Sequence, residues 1–227
     1  MILNRQTIKH IDCHKDLRFK VVNKLDKYTD DLVFDYGYTY EKYNNITILS
    51  NHNEIIIAAK DKIQILNSSM DNYQGCVFGY TGLFQDTHFK SIDFSNTDTS
   101  EMRFIAYMFC NSSIDFIDMS TLDTSKVRDC EGAFSGLKTG MLDLSSINID
   151  SLESMDMLFY KCQAKEIQLP YEMHYYHKLK NISANALFEE CKAGKIYTDA
   201  RAFRRCKHKR NLTARCTSIF VNNLIAV

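Results

Sequence analysis

The chain repeats itself with a period of 25 residues. Four phenylalanines mark the repeat, and a fifth follows after 29 residues: Phe84, Phe109, Phe134, Phe159 and Phe188. An apolar pair keeps the same step, at Ile92 and Phe94, Ile117 and Met119, Leu142 and Leu144, and Ile167 and Leu169. A fixed period of this length is the signature of repeat architectures, in which each unit buries its apolar face only by stacking on its neighbours. The period therefore predicts a solenoid.

Each unit has the same internal order. It opens with alternating apolar and polar residues, which indicates a short strand with one face inward. A turn rich in Ser, Thr, Asp and Asn follows, and apolar residues three, six or seven apart then lead to the phenylalanine, as in a short helix. We predict an α/β repeat solenoid, a leucine-rich-repeat-like stack of strand–turn–short helix units. Its strands would align equivalent residues in ladders, one of them Ile92, Ile117, Leu142 and Ile167.

The units resemble the repeats of BspA-type leucine-rich proteins, also known as bacterial surface protein repeats, whose pattern reads LDLSNFDTSKVTNMSGMFSGC. The matching residues are Asp118, Ser120, Asp123, Thr124, Ser125, Lys126, Val127, Phe134 and Gly136. The resemblance is clear over residues 92–169 and weaker over 63–91 and 170–209. It implies a curved solenoid used for attachment or protein binding, often on cell surfaces.

The ends of the chain are expected to cap the solenoid, because terminal units would otherwise expose core and unpaired strand edges. We assign residues 1–62 to an N-terminal capping region, 63–209 to the repeat solenoid (clearest in 92–169) and 210–227 to a C-terminal cap. Strand-like segments at 46–49, 54–59 and 62–66 favour a β-rich first cap.

Charge is divided along the chain although the formal net charge is zero. Residues 92–159 hold twelve acidic and four basic side chains, whereas residues 192–215 hold nine basic side chains and one acidic. The basic end suits a solvated cap, an acidic protein partner or the phosphate backbone of a nucleic acid. Its candidate contact residues are Arg201, Arg204, Arg205, Lys207, Lys209, Arg210 and Arg215.

A loop rich in tyrosine and histidine interrupts the period after Pro170 and adds four residues to that unit. Insertions in repeat arrays commonly lie on the surface and make contacts. The candidate partner-binding residues of this loop are Tyr171, His174, Tyr175, Tyr176 and His177.

Three aspartates, Asp93, Asp118 and Asp143, are expected to align on the solvent side of the strands. Stacked carboxylates repel unless hydrogen-bond donors or a cation offset the repulsion. The neighbouring Ser95, Ser120 and Ser145 favour a structural ladder; a divalent ion and a paired-carboxylate hydrolase are the alternatives. We also count the three aspartates among the candidate partner-binding residues.

The eight cysteines are expected to be reduced. Cys162, Cys191 and Cys206 stand three residues after the repeat phenylalanines Phe159 and Phe188 and after Phe203, which follows Phe188 by fifteen residues; this spacing indicates a ladder of buried thiols. Cys191, Cys206, His208 and Cys216 are a conceivable zinc set without a recognised spacing. We predict no metal, no cofactor and no enzyme, because nucleotide loops, nucleophile elbows and metalloprotease helices are missing from the sequence.

The amino terminus carries charges and histidines where an export signal would be apolar, and no apolar run approaches the roughly 20 residues of a membrane span. We therefore expect a soluble cytoplasmic protein. The leading hypothesis is a non-enzymatic protein-binding module, an intracellular adaptor or inhibitor that occupies a partner's surface. One specific version is a phage- or virus-encoded inhibitor of a host nucleic-acid-handling defence complex. Direct nucleic-acid binding through the basic end is the alternative, and a metal-dependent hydrolase is the third.

Overall fold

The computed structural model of the chain describes residues 5–10, 18–22, 38–43, 46–59, 63–64, 82–170, 173, 181–197 and 224–225. Within these ranges lie one helix, α1 (Arg5–His10), and the cap strands β1 (Arg18–Val22), β2 (Thr39–Tyr43), β3 (Ile46–Ser50) and β4 (Glu54–Ala59). Short strands β5 (Ile63–Gln64) and β7 (Thr97–Asp98) pair with each other. The repeat strands are β6 (His88–Asp93), β8 (Ser113–Asp118), β9 (Lys138–Asp143), β10 (Gln163–Gln168) and β11 (Lys192–Tyr197), followed by β12 (Leu224–Ile225). None of the described helical residues form a segment long and apolar enough to cross a bilayer.

The repeat strands form one parallel sheet in the order β6-β8-β9-β10-β11-β12. Each repeat forms one turn of the solenoid, here called a coil, and returns the chain beside its starting point. Equivalent residues therefore pair: Ile92 with Ile117, and Leu142 with Ile167. The predicted apolar ladder is confirmed. The described residues form a β-solenoid of about four turns.

The N-terminal strands extend this sheet. β2, β3 and β4 form an antiparallel meander, and β1 lies between β4 and β6, parallel to both. The register places Arg18 beside Glu54 on one side and Ser91 on the other. The first described strand of the chain therefore joins the meander to the solenoid.

The repeat phenylalanines stack inside the solenoid. Phe84, Phe109, Phe134 and Phe159 follow one another with 5.7 to 5.8 Å between ring centroids and no more than 11° between planes, and Phe188 lies 4.8 Å beyond Phe159. All five are buried. Burying a side chain of this size stabilises the fold by about 1.5–3 kcal/mol. The predicted phenylalanine ladder is confirmed.

The short helix predicted in each unit is wrong. An α-helix needs hydrogen bonds from each N–H to the carbonyl four residues earlier. In residues 102–112 backbone N–H groups instead donate either to a carbonyl of the next coil or to the carbonyl three residues earlier. Ile105, Tyr107, Phe109 and Asn111 donate to carbonyls of the next coil at 2.7 to 3.0 Å. Met108 and Cys110, which lie between them, donate to the carbonyl three residues earlier, of Ile105 (3.1 Å) and Tyr107 (3.0 Å). The architecture is therefore a β-solenoid rather than an α/β one.

Left-handed backbone recurs at two positions in this stretch. One position is occupied by Tyr107, Gly132, Met157 and Ala186, with φ between 52° and 57°, and the other by Asp86, Asn111, Gly136, Lys161 and Glu190, with φ between 55° and 66°. The turns at these positions aim alternate N–H groups along the solenoid axis. Bonding between coils thus replaces bonding within a helix.

Buried hydroxyls and surface ion pairs also join successive coils. Thr99 and Thr124, both almost fully buried, accept hydrogen bonds from the backbone N–H of Asp123 (2.7 Å) and Asn148 (2.8 Å) of the next coil.

At the surface Lys126 pairs with Glu101 at 2.5 Å, and Arg128 pairs with Glu153. Both ion pairs join residues that stand one full repeat apart, so each charge lies opposite its partner in the stack.

Candidate protein-binding surface

The solvent side of β6, β8, β9, β10 and β11, here named the outer sheet face, is shaped by a bulge, a place where two consecutive residues of a strand point outward, which the burial pattern shows in β6, β8, β10 and β11. In β8 the side chains of Ile114 and Ile117 point inward, while the two consecutive residues between them, Asp115 and Phe116, are both exposed. The same spacing of buried positions recurs in β6, β10 and β11. β6, β8 and β10 therefore each present four outward side chains instead of three, whereas β9 and β11 have a glycine at the third position.

Two large apolar side chains lie side by side on this face. Phe116 of β8 and Met141 of β9 are register partners, with exposed fractions of 55% and 44%. Among the described residues they are the exposed large hydrophobic side chains. Burying an exposed aromatic–methionine pair removes apolar surface from water and contributes strongly at protein interfaces.

Polar side chains border this pair in two rows of opposite character. The row at the start of the strands is neutral to basic, and the row at their end is acidic over three coils. The first row is His88, Ser113, Lys138, Gln163 and Lys192, and the last row is Asp93, Asp118, Asp143, Gln168 and Tyr197. The outer sheet face is thus electrically polar across the strands, with apolar surface near its middle.

The aspartates of the last row are held by local hydrogen bonds. Each accepts from the backbone N–H of the serine two residues later, at 2.8 Å in Asp93, 3.0 Å in Asp118 and 2.9 Å in Asp143. The hydroxyl of Ser120 also donates to Asp118 at 2.6 Å. The serine donors expected from the sequence are therefore present, and each carboxylate has its own donor. Such Asx turns fix the chain as it leaves the strand.

A second set of acidic side chains lies on the opposite side of the coils. Tyr107 donates a hydrogen bond of 2.6 Å to Glu131, and burial together with this carboxylate raises the pKa of the Tyr107 phenol. Burial also raises the pKa of the Asp129 carboxyl, although the N–H of Glu131, 2.8 Å from Oδ1, opposes that shift. No three His, Cys, Asp or Glu side chains converge on a metal position within the described ranges.

The described cysteines pack as apolar residues. Cys110, Cys130, Cys162 and Cys191 are buried free thiols. A hydrogen bond with Cys191 and burial raise the pKa of Cys162, and burial raises the pKa values of Cys110 and Cys130. In these three cysteines the raised pKa disfavours the thiolate that metal binding or nucleophilic attack requires, whereas the hydrogen bond with Cys162 lowers the pKa of Cys191. Of the conceivable zinc set only Cys191 lies in a described range, and its side chain is in the core.

Several candidate residues from the sequence lie outside the described ranges. They are the basic residues Arg201, Arg204, Arg205, Lys207, Lys209, Arg210 and Arg215, and the loop residues Tyr171, His174, Tyr175, Tyr176 and His177. Asp93, Asp118 and Asp143 are described, and the fold brings them together at one edge of the outer sheet face. The role of all of these residues in binding stays a prediction.

Phe116 and Met141 are missing from the candidate residues of the sequence reasoning. Both stand one residue before the first apolar position of a unit, where other coils have Ser91 or Glu166. Strict alternation assigns polar character to this outward position. The sequence did contain a signal for an exposed apolar surface: Phe116 and Met141 stand at a position where other units have serine or glutamate.

A cavity between the sheet and the turns of the later coils is small and apolar. Its volume is about 30 Å³, and Ile105, Met119, Phe134 and Met173 are among its lining residues. A space of this size holds one or two water molecules, and an apolar lining gives them no partners.

The register and the stacked core define a class: a β-solenoid repeat protein whose sheet is extended by the N-terminal strands β1 to β4. The chain belongs to the family described as Mycoplasma protein of unknown function, DUF285, whose model matches residues 79–200, more than half of the chain. This repeat family is related to the BspA-like surface repeats. No curated protein and no solved structure matches the chain.

Proposed function

We propose that the chain is a non-enzymatic protein-binding module that uses the outer sheet face. The observation that carries the proposal is the exposed pair Phe116 and Met141, adjacent in register at the middle of that face. Apolar and aromatic anchors surrounded by polar side chains are the usual composition of an interface centre. The solenoid suits this task because its stacked coils hold the anchors on strands with defined register.

The borders of the face favour a protein partner over a nucleic acid. Asp93, Asp118 and Asp143 add negative charge beside the apolar pair, and phosphate groups would be repelled there. A protein surface can offer both signs of charge. In this proposal the related BspA-like repeats agree with a binding role, and the protein acts as an adaptor or inhibitor by covering its partner.

Photo-crosslinking in the cells that produce the protein tests the proposal. A photoreactive phenylalanine analogue at position 116 is expected to capture a discrete protein species. The same analogue at Ser151, an exposed position in the turns opposite, serves as the matched control and is expected to capture none of it. Capture at both positions, or at neither, would contradict binding through the outer sheet face.

A second measurement separates the binding surface from the fold. The paired change Phe116→Ser and Met141→Ser is expected to abolish capture by an analogue placed at the neighbouring Asp115. Because both side chains are exposed, the far-ultraviolet circular dichroism and the urea midpoint should stay close to those of the parent. Loss of capture with an intact fold supports the proposal, whereas undiminished capture contradicts it.

A further inference from the structure

The two charged rows of the outer sheet face are related by strand direction. In β9 the first residue is Lys138 and the last is Asp143, with Gly140 and Met141 between them. All five repeat strands run parallel, so the row at the strand start and the row at the strand end lie along opposite borders of the face. A surface with this arrangement complements a copy of itself in which the strands run the other way.

A two-fold axis parallel to the solenoid axis performs this operation. It sets each strand of one molecule opposite the same strand of the other, reversed in direction. Lys138 then meets Asp143, His88 meets Asp93, and Ser113 meets Asp118. Gln163 meets Gln168 one coil further along. The described rows thus place no like charges opposite each other.

The other face-to-face two-fold, parallel to the strands, gives the opposite result. With its axis over β9 it sets Lys138 against Lys138 and Asp143 against Asp143, and with its axis between β8 and β9, at the apolar pair, it sets Asp118 against Asp143. Like charges directly opposed across an interface weaken binding strongly. Charge therefore selects the axis that runs along the solenoid.

The middle of the face also matches itself under the selected operation. The bulge makes two consecutive residues of each strand point outward, and the two-fold exchanges them. Met141 then meets Gly140, where the missing side chain leaves room for it, and Lys165 meets Glu166. Phe116 lies next to Met141 and meets the exposed Asp115 of the other copy. The anchor Met141 and the space that receives it, at Gly140, occur in the same chain.

We infer that the outer sheet face binds a second copy of this chain, forming a two-fold symmetric dimer with Lys138 of each copy against Asp143 of the other. The inference rests on the proposed function, since it names the partner of the same surface. In such an isologous interface every contact occurs twice. Stacked sheets cross at about 30°, so the match is closest near Phe116 and Met141 and looser toward β6 and β11.

The size of the face predicts a weak, reversible dimer. Five strands about 4.8 Å apart and six residues long, at about 3.3 Å per residue, cover roughly 24 by 20 Å. Both copies together would bury about 1,000 Å², at the lower end for a specific interface. Dimerisation is therefore expected only at high protein concentration.

Sedimentation velocity over a wide range of concentrations tests the inference with a charge exchange. The single changes Lys138→Asp and Asp143→Lys each create two like-charged contacts, and each is expected to weaken dimerisation at least about tenfold. The double variant carrying both changes restores opposite charges and is expected to dimerise like the parent. An equimolar mixture of the two single variants is expected to form a heterodimer, because both of its charged contacts become complementary.

The change Lys126→Asp is the matched control: it alters charge equally at an exposed site away from the outer sheet face and should leave dimerisation unchanged. Circular dichroism establishes that each variant is folded. A folded parent that stays monomeric at every concentration would overturn the inference. So would single variants that dimerise as tightly as the parent, or a mixture that forms no heterodimer.

The failure of the dimer and the failure of the proposed function are distinguishable. Mass spectrometry of the species captured at position 116 shows either the chain's own peptides or those of another protein. Capture of another protein alone, with a monomeric parent, overturns the inference and leaves the proposed function standing. Capture of neither contradicts both.

Discussion

The rings of Phe109 and Phe134 stack with 5.7 Å between their centroids and 5° between their planes, although the two residues belong to successive coils of the chain. Each ring touches the equivalent ring of the coil before and the coil after. A single phenylalanine therefore contributes to two coil–coil contacts.

Replacing Phe134 with Ala is expected to lower the free energy of unfolding by about 3–5 kcal/mol, because it leaves a cavity and removes two stacking contacts. Urea denaturation followed by circular dichroism measures the effect. The control is Phe116→Ala, which removes an exposed ring and should change stability by less than about 0.5 kcal/mol. Equal losses in the two variants would contradict the proposed burial.

Gly136→Ala tests the left-handed turns. Gly136 has a φ of 66°, and an added Cβ would lie 2.4 Å from Asn111 Oδ1. The amide of Asn111 can rotate away, so the backbone conformation carries most of the cost, about 1–2 kcal/mol. Gly140→Ala is the control, since the nearest atom to its new Cβ is 3.4 Å away. A Gly140→Ala variant that loses as much stability as Gly136→Ala would disprove this explanation.

Thr124→Val tests the buried contact between coils. It keeps the shape of the side chain but leaves the N–H of Asn148 without its acceptor, which is expected to cost about 1–3 kcal/mol in thermal or urea unfolding. Lys126→Met removes the half-exposed ion pair with Glu101 and should cost less than about 1 kcal/mol. The reverse ranking would mean that surface charge holds the coils together.

Asp129→Asn is expected to stabilise the protein at neutral pH and to change the pH dependence of unfolding. Burial raises the pKa of Asp129 in the folded state, so the folded protein binds a proton more tightly than the unfolded chain does. The contribution of this residue to stability therefore decreases as pH rises from about 4, the ordinary value, through the raised folded-state pKa. Asparagine has no charge to desolvate, and its carbonyl can still accept from Glu131.

Urea midpoints of the parent and the Asp129→Asn variant, measured from acidic to neutral pH, check this prediction. The difference between the two proteins should grow with pH and then level off. Asp115→Asn on the exposed face is the control for removing a charge, and its midpoint should follow that of the parent. A difference between parent and Asp129→Asn that is independent of pH would refute the prediction.

The stacked core could be predicted from the sequence because two sets of markers share one period. Phe109 and Phe134 on one side of the coil, and Ile92 and Ile117 on the other, recur at the same interval, so their register follows from counting. The prediction required no knowledge of local conformation. It needed only the rule that equivalent residues lie beside each other when similar units stack.

The conformation of the turns could not be predicted in the same way. Apolar residues three and seven apart suggest a helix, but here Ile105 and Phe109 donate their N–H groups to another coil. That bonding depends on carbonyls almost a full repeat away, which a local pattern does not contain. The exposed Phe116 was overlooked for a different reason: alternation places it outward, beside the inward Ile117, and predicts a polar residue there.

The position of β1 has a consequence for synthesis. Arg18 pairs with Glu54 and with Ser91, both of which are made much later, whereas each repeat strand pairs with the repeat strand that follows it in the chain. As the chain leaves the ribosome, β1 can join the meander only after β4 has emerged, and its other edge stays open until β6 follows. Each later coil then adds to an edge that already exists. Among the described strands, β1 therefore has the longest interval between its synthesis and the completion of its pairing. Each described repeat strand after β6 pairs with the sheet in the order in which it is made.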